Sequence, residues 1–275
     1  MKKTGVTICF TLCYVMFMTM FEMCGSRAAS TNDNTTATKS TEYGMDNCVA
    51  SFAQERVEPT DAGWMFWFFR DSFTESGINL KMSYVDKETA MHPPHKHFDK
   101  EIFYILEGEA EVYLEGATRV IGTNSSFFCP SNMMHGIKRA NDQPLKYLVI
   151  RGGQKSDVTT PQEGEFTLDN CVTEFSEQNV QVAKTGWYFW FAPKKFTEGL
   201  NLKMTYVDKL TGTHEPHQHS GDEIICLLEG EGEVFINNES RIVSPNTAFY
   251  YPDSSLHCLK RTNLEVPVRY LVINP

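Results

Sequence analysis

An internal repeat with a period of about 122 residues is the strongest constraint on how this chain folds. Asp46-Asn47-Cys48-Val49 returns as Asp169-Asn170-Cys171-Val172, and residues 79–87 return as residues 201–209 with a single change of Ser to Thr. All four tryptophans fall at matching positions in the two copies. A period of this length is too long for a solenoid and agrees with the size of a duplicated domain.

The repeat divides the 275 residues into two similar domains and their connections. A stretch rich in Thr, Ser and Asn precedes the first copy, and a polar stretch with Gly, Thr and Pro joins the copies, which is typical of leaders and linkers. We predict a signal peptide over 1–28, a disordered leader over 29–45, an N-terminal domain over 46–152, a linker over 153–168 and a C-terminal domain over 169–275.

The first 28 residues have the composition of a secretory signal peptide. Lys2-Lys3 precedes an uncharged stretch over residues 4–21, and Ser26-x-Ala28 forms a small-x-small cleavage pattern. We therefore expect a secreted protein, periplasmic or extracellular, with no membrane span after cleavage. A lipid anchor at Cys24 on the cell surface and a single transmembrane anchor are the alternatives.

Short apolar segments with β propensity recur within each copy. Residues 101–106, 110–114 and 147–150 are examples, and Gly, Asn, Asp and Pro separate them. This spacing predicts an all-β fold, a sandwich or barrel in each copy. The aromatic runs 64–69 and 187–191 are apolar on both faces, which favours strands buried between a barrel and its packing partner.

The charge balance argues against a polyanionic partner. The formal net charge is −10, and basic residues occur only in short pairs such as Lys138-Arg139. Binding to nucleic acid requires a concentrated basic surface. We expect a small-molecule substrate, no nucleic-acid partner, and a homodimer as one alternative for the oligomeric state.

Five cysteines remain after the predicted cleavage, and no Cys-x-x-Cys pair occurs. A thiolate zinc site is therefore not expected. Cys48 and Cys171 stand at matching positions, so they are either a disulfide across the two copies or two equivalent buried thiols. We prefer the second interpretation.

All eight histidines form two groups with the same internal spacing, and each group is accompanied by a glutamate. A chain that uses histidine only in this pattern is predicted to use it for metal, since neutral imidazole is a common ligand. The predicted metal ligands are His95, His97, Glu101 and His135 in the first copy, and His217, His219, Glu223 and His257 in the second.

The spacing of the first group explains how four donors could meet. His95 and His97 are two residues apart, so they face the same side of an extended segment. Glu101 opens the next segment, and His135 follows the Pro130 turn. Three nitrogens and one oxygen suit Mn, Fe, Ni or Zn, with one ion per domain. An octahedral ion would keep two open positions, as a catalytic site requires.

These residues resemble the motifs of the cupin superfamily. His-x-His, three residues, Glu, six residues, Gly occurs as His95 to Gly108 and as His217 to Gly230, and a Pro shortly before a His occurs at Pro130 and Pro252. The resemblance covers roughly Asp46 to the end. It implies a bicupin, two tandem cupin domains of the double-stranded β-helix or jelly-roll type.

Some positions depart from the usual cupin pattern. Thr89 and Thr211 replace a glycine before the first ligand, and Asn132 and Ser254 replace the glycine of the Pro-x-Gly turn. Where the pattern often has Asn after the last His, both copies have arginine. These are Arg139 and Arg261.

Four residues are candidate catalytic groups. His92 and His214 stand three residues before the first ligand of their copy. Each is a general acid or base, a hydrogen-bond partner of a ligand, or an ordinary surface residue. Arg139 and Arg261 would bind a substrate carboxylate if they point inward, and surface charge is the alternative. Lys81 and Lys203 raise the same question, although lysines on strands are usually exposed.

The expected function is a metal-dependent enzyme of isomerase, ketonising or lyase type. It would act on a small sugar acid or a related carboxylate, with the ion as Lewis acid. One alternative is dioxygenase or oxalate-type chemistry. The other is a non-catalytic bicupin that binds a ligand through its metal or serves for storage. The linings of the two sites differ, with bulkier Phe103 in the first and Ile225 in the second, so we expect a roomier second site.

Overall fold

The computed structural model describes residues 43–87, 90, 93–152, 161–162, 164–197, 199–209, 212 and 214–275. The predicted signal peptide, most of the predicted leader, about half of the predicted linker and His92 lie outside these residues. The helices among the described residues are four residues long, so none of them could span a bilayer.

Strands make up most of the described chain, and the helices are single turns. In the first repeat the elements are α1 (Met45–Cys48), β1 (Val49–Ser51), β2 (Glu58–Pro59), β3 (Gly63–Phe69), β4 (Asn79–Val85), β5 (Lys100–Glu107), β6 (Ala110–Leu114), β7 (Ala117–Ile121), β8 (Ser125–Cys129), β9 (His135–Arg139) and β10 (Leu145–Gly152). In the second they are α2 (Leu168–Cys171), β11 (Val172–Glu174), β12 (Gln181–Ala183), β13 (Gly186–Ala192), α3 (Lys194–Thr197), β14 (Asn201–Val207), β15 (Glu223–Glu229), β16 (Gly232–Ile236), β17 (Glu239–Val243), β18 (Thr247–Tyr251), β19 (His257–Arg261) and β20 (Val268–Asn274). Two 3₁₀ turns lie at Gln54–Arg56 and Glu177–Asn179.

Each repeat forms one large and one small antiparallel sheet. The seven-stranded sheets have the orders β11-β8-β5-β10-β4-β3-β2 and β1-β18-β15-β20-β14-β13-β12. The three-stranded sheets have the orders β7-β6-β9 and β17-β16-β19. A large and a small sheet form a jelly roll in each repeat, so the predicted all-β class with two tandem barrels is confirmed.

The first strand of each repeat belongs to the sheet of the other repeat. Strand β1 pairs with β18, with Ala50 opposite Ala248, and β11 pairs with β8, with Thr173 opposite Ser126. The hydroxyls of Ser51 and Thr247 lie 3.0 Å apart across the first of these pairs. The predicted boundaries 46–152 and 169–275 follow the sequence repeat, whereas the sheets are completed by exchange between the repeats.

The repeated Asp-Asn-Cys triplet builds the one-turn helix that precedes each exchanged strand. The Asn47 and Asn170 side chains accept hydrogen bonds from the N-cap backbone amides of Gly44 and Thr167 at 2.9 and 2.8 Å. Such a side chain satisfies an amide that has no partner inside the helix. The triplet therefore reflects the local geometry of the exchanged segment.

The cysteine of each triplet is a buried free thiol. Among the described residues all five cysteines are free, and Cys48 and Cys171 are fully or nearly fully buried. Burial raises the pKa of both thiols to about 12. The preferred interpretation of two equivalent buried thiols is confirmed.

The aromatic strands β3 and β13 pack against the other repeat, as the sequence predicted. Phe69 contacts Tyr250 with ring centroids 6.0 Å apart, and Phe191 contacts Tyr104 at 5.2 Å. These contacts join the cores of the two repeats into one continuous apolar cluster. The described part of the chain after residue 40 forms one compact unit.

The ends of the predicted leader and linker are packed segments. Tyr43 lies 5.4 Å from Tyr250 between ring centroids, and its hydroxyl donates to the Phe73 carbonyl at 3.0 Å. Phe166 lies 6.0 Å from Phe128 and 5.5 Å from Phe196. The polar composition of both segments hid these single aromatic residues, so the prediction of a disordered leader up to residue 45 was wrong for its last residues.

Gly186 at the start of β13 should tolerate no larger residue. A Cβ atom there would lie 2.0 Å from the backbone oxygen of Tyr206, and backbone cannot shift cheaply. We expect Gly186→Ala to lower the free energy of unfolding by about 2–3 kcal/mol, as overpacking does. Urea unfolding measures this. Gly122→Ala is the matched control, because nothing lies within 4 Å of its Cβ position. Equal stability of the two variants would contradict the packing of β13 against β14.

Candidate metal centres

The first histidine cluster is assembled by a backbone bridge between two distant segments. The amide of His95 donates to the carbonyl of His135 and the reverse bond also forms, both at 2.9 Å. The His97 ring centroid lies 5.5 Å from that of His95 and 4.8 Å from that of His135. One ligand atom of each of the three residues lies within 4.8 Å of the others.

Glu101 brings a carboxylate to this cluster from the start of β5. Its Oε2 atom lies 3.2 Å from His135 Nε2 and 3.6 Å from His97 Nε2. The Glu101 residue is only 5% exposed, and His135 is fully buried. The four predicted ligands of the first repeat therefore meet at one place.

The second repeat builds the same arrangement with a looser carboxylate. The backbone bridge joins His217 and His257 at 3.0 and 2.9 Å. The Glu223 carboxylate lies 3.8 Å from His219 Nε2 and 3.7 Å from His257 Nε2. Its Oε2 atom also accepts a hydrogen bond from the Asn274 side-chain amide at 3.2 Å.

Every one of the six clustered imidazoles is held by a backbone carbonyl at its Nδ1 atom. A carbonyl oxygen only accepts, so Nδ1 carries the proton and Nε2 keeps its lone pair. The carbonyls belong to Pro93, Asp99, Met133, Glu215, Ser220 and Ser255, at 2.8 to 3.3 Å. Within the described residues, the buried Nε2 atoms of His97 and His257 have no hydrogen-bond partner.

The electrostatics of the clusters fit a divalent metal ion. Burial would raise the pKa of Glu101, but the close His135 and His97 imidazoles outweigh it and lower the pKa to about 2. Burial lowers the pKa of His95 and His257, which favours their neutral form. An ionised carboxylate thus faces Nε2 lone pairs, and two acceptors in contact require a cation between them. Imidazole and carboxylate donors together suit a transition metal.

The turn before the last ligand has a left-handed residue in both repeats. Asn132 has φ of 63° and Ser254 has φ of 59°, where the common pattern has glycine. Their amides donate to the carbonyls of His97 and His219 at 2.8 and 3.1 Å. Asn132 and Ser254 therefore preserve the turn without glycine. Through its hydrogen bond the turn holds the segment of His135 or His257 against the segment of His97 or His219.

Each cluster opens into a cavity, and the second cavity is larger. The volumes are about 380 Å³ in the first repeat and about 540 Å³ in the second. Phe103 lines the first cavity, stacked on Phe127, where the shorter Ile225 lines the second. The expected difference in room between the two sites is confirmed.

Lys81 and Lys203 line these cavities, although strand lysines were expected to be exposed. Each ammonium lies over the indole of its cross-strand partner, at 5.2 Å from Trp67 and 5.4 Å from Trp190. Burial lowers the pKa of both lysines, and the nearby cluster glutamates oppose this. One sequence feature could have indicated that these lysines line the cavities: the nine-residue segment that contains them is nearly unchanged between the repeats.

The four candidate catalytic residues have different outcomes. His214 lines the second cavity with its ring centroid 4.8 Å from that of His217, while His92 is not among the described residues. Arg139 donates to the Asp142 carbonyl at 3.2 Å, and Arg261 donates to the Val266 carbonyl at 3.4 Å. Among the described residues that line the cavities, neither arginine is found. Each arginine donates into the loop that joins the last two strands of its repeat, and Arg261 is buried there, so neither the inward nor the surface interpretation describes it.

The chain matches a known family in both repeats. Residues 82–151 and 206–274 each match the Cupin domain family. The chain belongs to the cupin family. Two copies of the domain make it a bicupin, as the histidine motifs indicated.

Individual relatives of the bicupin differ in how much they share with it. Dimethylsulfoniopropionate lyase DddQ of Ruegeria pomeroyi is 39% identical over 78 residues, which cover 27% of this chain and 38% of the lyase. AerE of Microcystis aeruginosa has a TM-score of 0.58 and 17% identity, over 80% of this chain and 97% of AerE. A Bacillus subtilis oxalate decarboxylase with Mn(II) centres has a TM-score of 0.61 and 16% identity, over 83% of this chain and 77% of the decarboxylase. At these identities the two structures share the fold with this chain.

Loss of one ligand should remove one metal ion and leave the other. We expect His135→Ala and His257→Ala each to halve the metal content of the protein, because each cluster has its own donors. Inductively coupled plasma mass spectrometry after anaerobic purification measures this. Arg139→Ala is the control and should keep the full content. If both cluster variants kept the content of the parent, the assignment of the ligands would be refuted.

Proposed function

We propose that this bicupin is a metal-dependent lyase that acts on a small carboxylate, with the second cavity as its active site. The observation that carries the proposal is the cavity of about 540 Å³ in which the second histidine cluster, Lys203 and His214 line one space. A metal site with an adjacent cation and an adjacent base is suited to removing a proton next to a carboxylate.

The lining of the second cavity divides into a binding part and a reacting part. The ion bound by the second cluster would act as Lewis acid on the carboxylate. Lys203 offers its ammonium to a carboxylate oxygen, since ion pairs with charged donors are strong where water is excluded. Tyr270 and Ile225 form the wall on the same side as Glu223, which limits the substrate to a small molecule.

His214 is placed to move a proton at the mouth of this cavity. Burial lowers the pKa of His214, so the imidazole is predominantly neutral at neutral pH. A ring nitrogen of His214 accepts the proton from the carbon next to the carboxylate. The C–H bond and the bond to the leaving group break, and a carbon–carbon double bond forms.

The curated relative supports elimination over the other chemistries expected from the sequence. Its name gives lyase activity on a propionate, a small carboxylate, although the bicupin spans less than half of its length. Oxalate-type decarboxylation is the second candidate, because the structural neighbours include oxalate decarboxylases. The donor set of three imidazoles and one carboxylate suits Mn, Fe, Ni or Zn.

A panel of small carboxylates with each cluster disabled in turn tests the proposal. We expect turnover of a β-substituted propionate or a sugar acid, and loss of at least about 100-fold in His217→Ala, because Lewis-acid stabilisation is worth several kcal/mol. His95→Ala in the first cluster is the matched control and should retain most of the activity. Product formation by chromatography is the measurement. Full ligand affinity in metal-free protein, with no turnover of any carboxylate, would instead support a non-catalytic binder.

Replacing the proposed base should separate binding from chemistry. We expect His214→Gln to lower kcat by about 10²–10⁴-fold with little change in KM, because general base catalysis typically contributes this much. The metal content should remain that of the parent, since His214 is not in the cluster. Steady-state kinetics measure the two constants. An unchanged kcat would remove His214 from the mechanism.

A further inference from the structure

The segment between β3 and β4 of the first repeat contacts two residues of the second repeat that lie next to the second cluster in the chain or in its sheet. We call residues 70–78 the brace. The amide of Glu75 donates to the Tyr250 hydroxyl at 2.9 Å, and the amide of Ser76 donates to Asp222 Oδ2 at 2.8 Å. Two backbone donors of one repeat are thus directed at two side chains of the other.

Each acceptor precedes a residue that belongs to the second cluster or stacks on one of its ligands. Asp222 precedes Glu223, and the Asn274 side chain donates both to the Asp222 carbonyl at 3.3 Å and to Glu223 Oε2 at 3.2 Å. Tyr250 precedes Tyr251 in β18. Because neighbouring strand residues face opposite sides, Tyr250 faces the brace while Tyr251 faces the cluster.

Tyr251 transmits the position of β18 to a metal ligand. Its ring stacks on the His257 imidazole with centroids 4.2 Å apart and an angle of 18°. Its hydroxyl donates to the Cys258 carbonyl at 3.1 Å, so the ring is fixed at both ends. A shift of Tyr250 would therefore move the surface on which His257 rests.

The brace contacts are strong because their acceptors are buried. Asp222 is 4% exposed and Tyr250 is fully buried. A buried carboxylate needs hydrogen bonds to compensate its lost hydration, and amide donors to a carboxylate are stronger than neutral pairs. Phe73 of the brace adds an aromatic contact with Tyr250, with centroids 5.5 Å apart.

The first cluster has no equivalent acceptors at the matching positions. Lys100 stands where the second repeat has Asp222, and Phe128 stands where it has Tyr250. Lysine and phenylalanine side chains cannot accept an amide hydrogen bond. Phe128 instead packs against Phe166 and Phe196, at 6.0 and 5.6 Å.

We propose that the brace of the first repeat positions Glu223 and His257, so that the metal affinity of the second cluster depends on the first repeat. Asp222 and Tyr250 are positioning residues that act through Glu223 and Tyr251. The inference rests on the proposed function in one respect, that the second cluster binds a metal ion. It makes the active site a property of both repeats.

Titration with Mn(II) in a His135→Ala background tests the brace, since only the second cluster then binds. We expect Tyr250→Phe and Asp222→Ala each to weaken Mn(II) binding by about 10-fold, as loss of a residue that orients a ligand does. Asp222→Asn keeps an acceptor oxygen and should recover most of the affinity. The Mn(II) electron paramagnetic resonance spectrum should broaden or shift in the two weakened variants.

A matched control separates positioning from stability. Tyr104→Phe removes another buried tyrosine hydroxyl, which donates to the Asn124 side chain at 2.8 Å within the first repeat and contacts neither the brace nor the second cluster. It should lower the melting temperature and leave Mn(II) affinity and spectrum unchanged. Folded Tyr250→Phe and Asp222→Ala proteins with the affinity and spectrum of the background would overturn the brace. Absence of binding of Mn(II), Fe(II), Ni(II) and Zn(II) in the background itself would overturn the proposed function as well, whereas binding without turnover would overturn the proposed function alone.

Discussion

The exchange of one strand between the repeats is the constraint on which the rest of this structure depends. Strands β8 and β18 lie next to β5 and β15, which carry the cluster glutamates, and each is flanked on its other side by a strand of the opposite repeat. Without β1, β18 would be an edge strand with unpaired amides and carbonyls, and the same would hold for β8 without β11. The position of each carboxylate is therefore set by pairing that crosses between the repeats.

The clusters themselves depend on a simpler rule. Each imidazole donates a hydrogen bond from Nδ1 to a backbone carbonyl one or two residues away, which leaves Nε2 directed at the common centre. Because the partner is local backbone, the tautomer of each imidazole and the direction of its Nε2 atom are set within its own ligand segment. The two clusters therefore have the same ligand geometry even though their cavities, carboxylate contacts and surroundings have diverged.

The sequence predicted the features that depend on residue identity at fixed spacing. The eight cluster residues, the β class and the buried thiols all belong to this group. It did not predict the exchange, because Val49–Ser51 and Val172–Glu174 are too short to indicate a partner. The sequence left open whether Lys81 and Lys203 face inward or outward, since apolar residues occupy both phases of β4 and β14. The hydrogen bonds of Arg139 and Arg261 were not predicted, because their acceptors are backbone carbonyls, which a sequence motif does not indicate.

The exchange also fixes the order in which the molecule can be completed during synthesis. Ser51 contacts Thr247 across a separation of 196 residues, so β1 cannot pair until β18 has left the ribosome. The first barrel is likewise open along β8 until residues 172–174 emerge. The large sheet that contains β8 can therefore be completed earlier in synthesis than the one that contains β18, in which β1 and β18 pair across the intervening chain.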